Sequence, residues 1–403
     1  MDRRLFVLAV GMFALGTDSF VVAAVLPGIS HAFGVSIGAA GQMASIYSMT
    51  FALLSPPIAA LAATIPRKRL LLCGGIIFAL ANLGTVIAPT FGLALLSRII
   101  AGVGAAMFSP TATGAAVMLV RPEHRGFALS VVVAGLTVST ALGTPMGAVI
   151  GGLGDWRWTM GFVAALGALS VGGIAVFLSE VPLPPKVTLA KRLEPLMDGR
   201  VVLTLATTLI ALSGIFTVYT YFAVVFDRTI GGDAVVLGCL LVLWGIGGTV
   251  SNLFGGRVVD AVGSRKVIVT ILILLAVFSA VLPWTGSQLW IAAPVILIWG
   301  ACSWGQLVPQ QYRLVTLAPS IAPILMGLNS ACSYFGMSLG GVIGALGIRT
   351  VGAHYLGLIG AALVVLALIF AELANLRISA SSFVPQAEGP VPTPTRSCRA
   401  ASR

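Results

Sequence analysis

Apolar residues run through this chain in long blocks, and polar or charged residues fall in the short gaps between them. A helix rising 1.5 Å per residue needs about 20 apolar residues to cross a hydrocarbon core of about 30 Å. Twelve blocks are long enough: residues 5–27, 36–63, 69–87, 91–119, 124–151, 157–178, 201–226, 234–259, 266–284, 288–312, 321–347 and 352–375. The first, at about 22 residues and with no small-residue cleavage site behind it, is too long for a signal segment and is read as a span. The gaps are short except at 179–200, a polar stretch holding Pro182, Pro184, Pro185, Lys186, Lys191 and Arg192. That linker divides the chain into two sets of six helices, 1–178 and 201–377. Residues 378–403 are rich in Ser, Pro, Ala and Thr, and are expected to form a disordered tail. The pattern predicts an all-α membrane protein of twelve transmembrane helices.

Basic residues orient the spans, because Lys and Arg accumulate on the cytoplasmic side. With the N-terminus inside, all of the 23 Lys and Arg become cytoplasmic except Arg157, Arg228 and Arg349 in outer loops and Arg98 within a span. Both termini are then cytoplasmic. Trp156, Trp158, Trp284 and Trp290 all fall near the outer interface, where indole rings favour the headgroup level.

Composition narrows the class. The 403 residues are 58% hydrophobic and 9% charged, against about 25% charged in soluble domains, which excludes a soluble globular fold. Forty-eight glycines suit closely packed transmembrane helices. A net charge of +11 would suggest nucleic acid in a soluble protein, but its placement here reads as membrane orientation. Cys73, Cys239, Cys302, Cys332 and Cys398 are scattered, with neither metal spacing nor a disulfide framework. His31, His124 and His354 stand isolated in loops or at span ends. No Walker pair, zinc-binding His pair or nucleophile triad is present, so neither ATP-driven transport nor an enzyme is expected, and no cofactor or metal.

One residue of the first span changes the picture. Of the twelve Asp and Glu residues, eleven fall in loops, at helix ends or in the tail, and Asp18 alone lies at membrane depth. A charge there costs on the order of 3 kcal/mol by insertion scales, so it must face a partner or a watery cavity. It is read as a titrating coupling site, with a structural carboxylate tied to a neighbouring helix as the alternative. Asp18 lies about 13 Å from the outer end of its span at Pro27, and Arg98 about 10 Å from the outer end of its own at Phe91, at 1.5 Å per residue. Similar depth makes the two plausible partners; snorkelling of Arg98 to the outer headgroups is the alternative.

The two halves repeat. Arg67-Lys68 and Arg265-Lys266 are 198 positions apart, Pro110 and Pro309 are 199 apart, and Gly143 and Gly147 stand 197 before Gly340 and Gly344. These landmarks argue for a duplicated six-helix unit with its axis along the membrane normal, and for a substrate site between the halves near the midplane. A second cluster, of rings and amides, could line such a cavity: Tyr47, Tyr219, Tyr221, Phe222, Trp299, Trp304, Gln306, Asn329 and Tyr334, joined by Gln310.

The loop from Gly255 to Lys266, with Gly256, Asp260, Gly263, Arg265 and Lys266, resembles the Gly-x-x-x-Asp-x-x-Gly-x-Arg-Lys loop of the major facilitator superfamily. The resemblance implies a cytoplasmic charge latch in which Asp260 and Arg265 help set the conformational equilibrium. The first-half equivalent around Pro66-Arg67-Lys68 lacks the Asp, and is similar to the version in chloramphenicol exporters and arabinose-efflux-like proteins. Gly135, Gly143, Pro145, Gly147 and Gly151 in the fifth span resemble the antiporter motif of drug exporters, which implies a bent helix sealing one side of the cavity. Ser97 to Gly104 is similar to the family's fourth-helix Arg-x-x-x-Gly-x-Gly element, and Gly16 to Pro27 to its Gly-Thr-x-Glu-Phe segment, with the acid one residue earlier.

The expectation is a twelve-span major facilitator of the drug/proton antiporter branch, with two pseudo-symmetric six-helix bundles. It would exchange protons for small amphipathic molecules, such as chloramphenicol-type compounds, across the cytoplasmic membrane. Asp18 and Arg98 would carry the proton coupling. The lipid bilayer, protons and a small-molecule substrate are the expected partners, with a monomeric chain and no nucleic acid. An exporter of a sugar or nucleoside metabolite is the alternative, and a transporter-like receptor that moves nothing is the remote one.

Overall fold

The computed structural model describes residues 3–121, 124–181, 187–285 and 287–381. Twelve helices long and apolar enough to cross a membrane are present among them. They are α1 (Arg3–Phe33), α2 (Ile37–Leu61), α3 (Arg67–Ile87), α4 (Phe91–Met118), α5 (Arg125–Gly152), α6 (Trp156–Phe177), α7 (Gly199–Tyr219), α8 (Ala234–Val262), α9 (Ser264–Thr285), α10 (Leu289–Leu317), α11 (Pro319–Thr350) and α12 (Ala353–Ser379). Each coincides with one apolar block. A backbone in hydrocarbon must satisfy its own hydrogen bonds, and a helix does so within one segment.

The ends differ from the sequence pattern where apolarity is not the limit. Helix α1 runs six residues past Pro27 to Phe33, since packed neighbours let a transmembrane helix tolerate a proline. Helix α7 stops at Tyr219, and short helices Phe222–Val225 and Asp227–Ile230 follow, although the block is apolar to Phe226. Helical conformation continues to Ser381, so the expected disordered tail does not begin at 378; the tail from 382, like Pro182 to Lys186 of the linker, lies outside the described residues.

Polar residues in the gaps set several starts. Ser36, Thr90, Asp155, Asp198 and Asp233 each cap the following helix by accepting a hydrogen bond from a free amide of its first turn. Three of the loop carboxylates are thus explained by capping. Arg200 also donates to Asp198 and holds its carboxyl below the usual carboxylate range.

Glycines set the closest packing. Gly135, Gly143, Gly147 and Gly151 of α5 lie against Ala9, Thr17, Val21 and Val25 of α1, a constant offset of 126 positions between parallel helices. In the second half Gly336, Gly340 and Gly344 of α11 lie against Leu209, Ser213 and Thr217 of α7, at an offset of 127. The internal repeat is therefore a repeat of packing register. It extends to the charges: Lys68 Nζ donates to Ala175 O (2.9 Å), tying α3 to α6, and Arg265 Nη2 to Glu372 Oε2 (2.6 Å), tying α9 to α12, each across 107 residues.

Helices α1–α6 pack on one another, as do α7–α12, and the two groups meet chiefly along α2 with α11 and α5 with α8. Near Pro145, which has no amide to donate, residues Ser139–Gly143 form a π-turn, with the Thr144 amide reaching back five residues to Ser139 O. The backbone of that turn packs directly on Gly245 of α8. Six glycines mediate approach between the groups: Gly38, Gly41 and Gly341 on the first seam, and Gly152, Gly238 and Gly245 on the second. All lie between the midplane and the end away from Arg3, Arg67 and Arg265. The halves are joined most tightly at that end.

Three of the four tryptophans expected at that end are exposed, Trp158, Trp284 and Trp290. Trp156 turns inward instead, packed on Phe33 and Gly28 with Arg157 over its ring. His354 is not isolated: its Nε2 lies 2.7 Å from Asp227 Oδ1.

Gly143→Leu is expected to lower the unfolding midpoint of the purified protein by an amount equivalent to about 1–3 kcal/mol, the usual cost of overpacking. A side chain at Gly143 collides with Thr17, whereas one at Gly256 meets open space. Gly256→Leu is therefore expected to unfold with the wild type in the same thermal scan.

Candidate functional site

Helix α1 runs through the middle of the molecule, and residues 14–26 are all buried. Asp18 faces its own half. Its Oδ1 accepts from Arg98 Nη1 of α4 at 2.7 Å, and both side chains are 0% exposed. Arg98 Nη1 also donates to Asn82 Oδ1 of α3 (3.1 Å), and Nε to the carbonyl of Met43 on α2 (3.4 Å). The Tyr47 ring lies under the guanidinium, 4.6 Å from centroid to Cζ. Four helices converge on one cation. Asp18 Oδ2 and Arg98 Nη2 have no protein partner among the described residues.

Two positions along a helix turn about 200°, so Phe20 faces away from Asp18 and across to the other half. Rings of Phe216, Tyr219, Trp244 and Trp304 surround it, with centroids 6.1, 6.0, 6.4 and 5.5 Å from its own. Tyr219 and Trp244 are 4.4 Å apart. The indole N–H groups of Trp244 and Trp304 and both amide atoms of Gln306 are buried without a hydrogen-bond partner among the described residues. A cavity of about 10 Å³, room for about one water, lies beside this cage between Ser19, Ala44, Tyr219 and Met337. The centre is closed around its own side chains in this conformation.

The remaining ring and amide residues are spread more widely. Trp299 backs the cage, 6.1 Å from Trp244, with its N–H donated to Ser279 Oγ (3.1 Å). Tyr221 Oη donates to Gly341 O (2.7 Å), and Phe222 packs on Phe226 at 4.6 Å. Tyr334 stacks on Phe51 across the first seam, 3.9 Å between centroids. Asn329 accepts from Thr208 (3.1 Å), and Gln310 donates to Thr204 O (3.4 Å). Of the nine residues read as cavity-lining, Tyr219 and Trp304 form the cage, and Tyr47 belongs with the ion pair.

A family model described as Major Facilitator Superfamily matches residues 8–341. The chain belongs to that superfamily. It is 27% identical over 91% of its length to an uncharacterised MFS-type transporter, YbcL of Bacillus subtilis (strain 168), covering 94% of that protein. It is 29% identical to the inner membrane transport protein YdhP of Escherichia coli (strain K12), across 86% of this chain and 87% of the relative. A probable sugar efflux transporter of Helicobacter pylori (strain ATCC 700392 / 26695) is 28% identical over 93% of this chain and 95% of its own. The crystal structure of the human organic anion transporter MFSD10 (TETRAN) has the same fold, with a TM-score of 0.69 at 18% identity, covering 92% of this chain and 99% of that one. This chain is thus a multi-pass membrane transporter, not an enzyme.

In this facilitator the loop between α8 and α9 differs from the pairing its resemblance implied. Asp260 is exposed and makes no ion pair among the described residues, while Arg265 is bound to Glu372. Three residues along α12, Asn375 links Glu372 to the buried Arg313, which also reaches Ala371 O and Gln310. Gly263 turns the chain with a φ of +87°, a conformation suited to glycine. Glu372 stood three residues from the end of an apolar block and signalled only a helix terminus. Phe20, Phe216 and Trp244 carried no signal, since rings are ordinary in apolar spans. Asn82 did carry one: an amide at membrane depth, open to the reasoning applied to Asp18.

Removing one member of a buried ion pair strands the other. Arg98→Ala is expected to destabilise the protein by about 3–5 kcal/mol. The double variant Asp18→Asn/Arg98→Gln is expected to recover most of that loss, as read from thermal unfolding in a double-mutant cycle.

Proposed function

We propose that this transporter exports small amphipathic molecules in exchange for protons. The observation that carries the reading is the buried Asp18–Arg98 pair, two residues along one helix from a ring cage built by both halves. Protonation of Asp18 cancels its attraction for Arg98, and the stranded cation draws on Asn82, Met43 O and Tyr47 from α2 and α3. A rearrangement there moves α1, and with it Phe20, the face that the first half presents to the cage. Substrate and proton then compete through one helix, as exchange requires. The two bundles, 1–178 and 201–377, rock about the seams α2/α11 and α5/α8, with 179–200 as the connecting linker. In this reading the basic face is cytoplasmic, both termini are inside the cell, and one chain is the working unit. The glycine register of α5 on α1 lets the bundle move as one body, and the Pro145 π-turn against Gly245 serves as the seal. The loop with Gly256, Asp260, Gly263, Arg265 and Lys266 contributes through the Arg265–Glu372 tie.

A drug of the chloramphenicol type suits a cage of rings with a few hydrogen-bonding groups. A sugar or nucleoside metabolite is the second reading. It is favoured by the two indole N–H groups of the cage that lack a partner among the described residues, donors suited to hydroxyls, and by the name of the Helicobacter relative.

In proteoliposomes with an imposed pH gradient, Asp18→Asn is expected to abolish gradient-driven export and substrate-induced proton release while keeping a folded protein. Gradient-driven export by the variant at the wild-type rate would remove Asp18 from coupling. Trp304→Ala is expected to weaken substrate binding at least tenfold, measured by quenching of intrinsic tryptophan fluorescence across a panel of antibiotics and sugars.

A further inference from the structure

At the basic face a groove of about 480 Å³ opens between α8, α9 and α10. Phe254, Val258 and Val262 of α8 and Ile271 of α9 form its walls, Gly305 of α10 closes its inner end, and Lys266 stands in its lining. The α8 residues are largely exposed, so the groove faces outward rather than into the central cage. Its charges are unbalanced. Arg265 takes Glu372, and Lys266 is left with no acidic partner among the described residues. Arg257 lies 5.9 Å over the Phe254 ring, also without an acidic partner, and Asp260 three residues along α8 pairs with neither. An apolar groove of this size, open to the surface, suits a hydrocarbon chain. A mostly apolar groove with Lys266 in its lining and Arg257 over its Phe254 wall matches a molecule with an apolar tail and an anionic head.

We propose that the groove holds one acyl chain of an anionic phospholipid, with the phosphate held by Lys266 and Arg257. The lipid fills the space between α8 and α9 and lies against α10 at Gly305. It becomes part of the second half's packing and does not enter the transport path.

The test is native mass spectrometry of the purified full-length transporter, incubated with equal amounts of phosphatidylglycerol and phosphatidylcholine of matched chains. Wild type is expected to retain phosphatidylglycerol about tenfold more than phosphatidylcholine. The Lys266→Gln/Arg257→Gln variant, changed only on the surface, is expected to retain the two nearly equally. Thr270→Phe, which projects a ring into the groove from α9, is expected to lower retention of both. Equal retention of the two lipids by wild type, an undiminished preference in the double glutamine variant, or full retention by Thr270→Phe would each overturn the proposal.

Discussion

Everything at the centre of this transporter follows from one constraint: a charge taken out of water into a low-dielectric interior must bring its partner with it. An isolated Asp or Arg at that depth is unfavourable by several kcal/mol, and their attraction offsets this only if further hydrogen bonds complete the site. Asp18 on α1 and Arg98 on α4 meet that condition with help from Asn82, Met43 O and Tyr47. The pair therefore locks four helices of one half around a single cation. Among the described residues it also leaves one oxygen and one nitrogen unpartnered. A buried pair of this kind is weak evidence for stability, and a neutral pair of similar shape would hold the helices as well. In the proposed exchange, its value lies in what a proton can change.

Helix α1 is held on three sides. Its glycine-register contact with α5 leaves almost no clearance on one side, its ion pair ties it to α4, and Phe20 places its third side in the ring cage of the other half. The second half repeats the glycine register with α7 and α11 but not the ion pair. The position 199 after Arg98 is Leu297. The two halves thus share a scaffold and divide the central chemistry, the Asp18–Arg98 pair in the first and most of the ring cage in the second. In hydrocarbon, close packing is the main attraction between helices, which is why duplication preserved the small residues while the polar ones diverged.

The charged face follows the same logic at lower stakes. Lys68 and Arg265 make corresponding ties across 107 residues, yet one finds a backbone carbonyl and the other a carboxylate, because the partner on α12 is an acid. Asp260, next to the loop and closer in sequence, is left unpaired. Proximity along the chain was a poor guide, since the geometry of a tight turn at Gly263 sends Arg265 toward α12 rather than back along α8.

By itself the sequence determined the twelve spans, the two-fold repeat, the family and the presence of one costly carboxylate. These are properties of composition and spacing: an apolar block of sufficient length has no alternative to a helix in a bilayer, and a charge at depth is conspicuous against it. Depth alone even brought Asp18 and Arg98 to one level. Only the tertiary structure decided which faces those helices turn to one another. It selected Phe20, Phe216 and Trp244 for the cage, moved Tyr47 to the cation, and sent Tyr334, Tyr221 and Asn329 to the seams and helix contacts. The physical reason is that transmembrane helices are apolar on every side. With no amphipathic stripe to mark an inner face, their rotation is set by small-residue packing and a few polar ties, which exist only once all twelve are assembled.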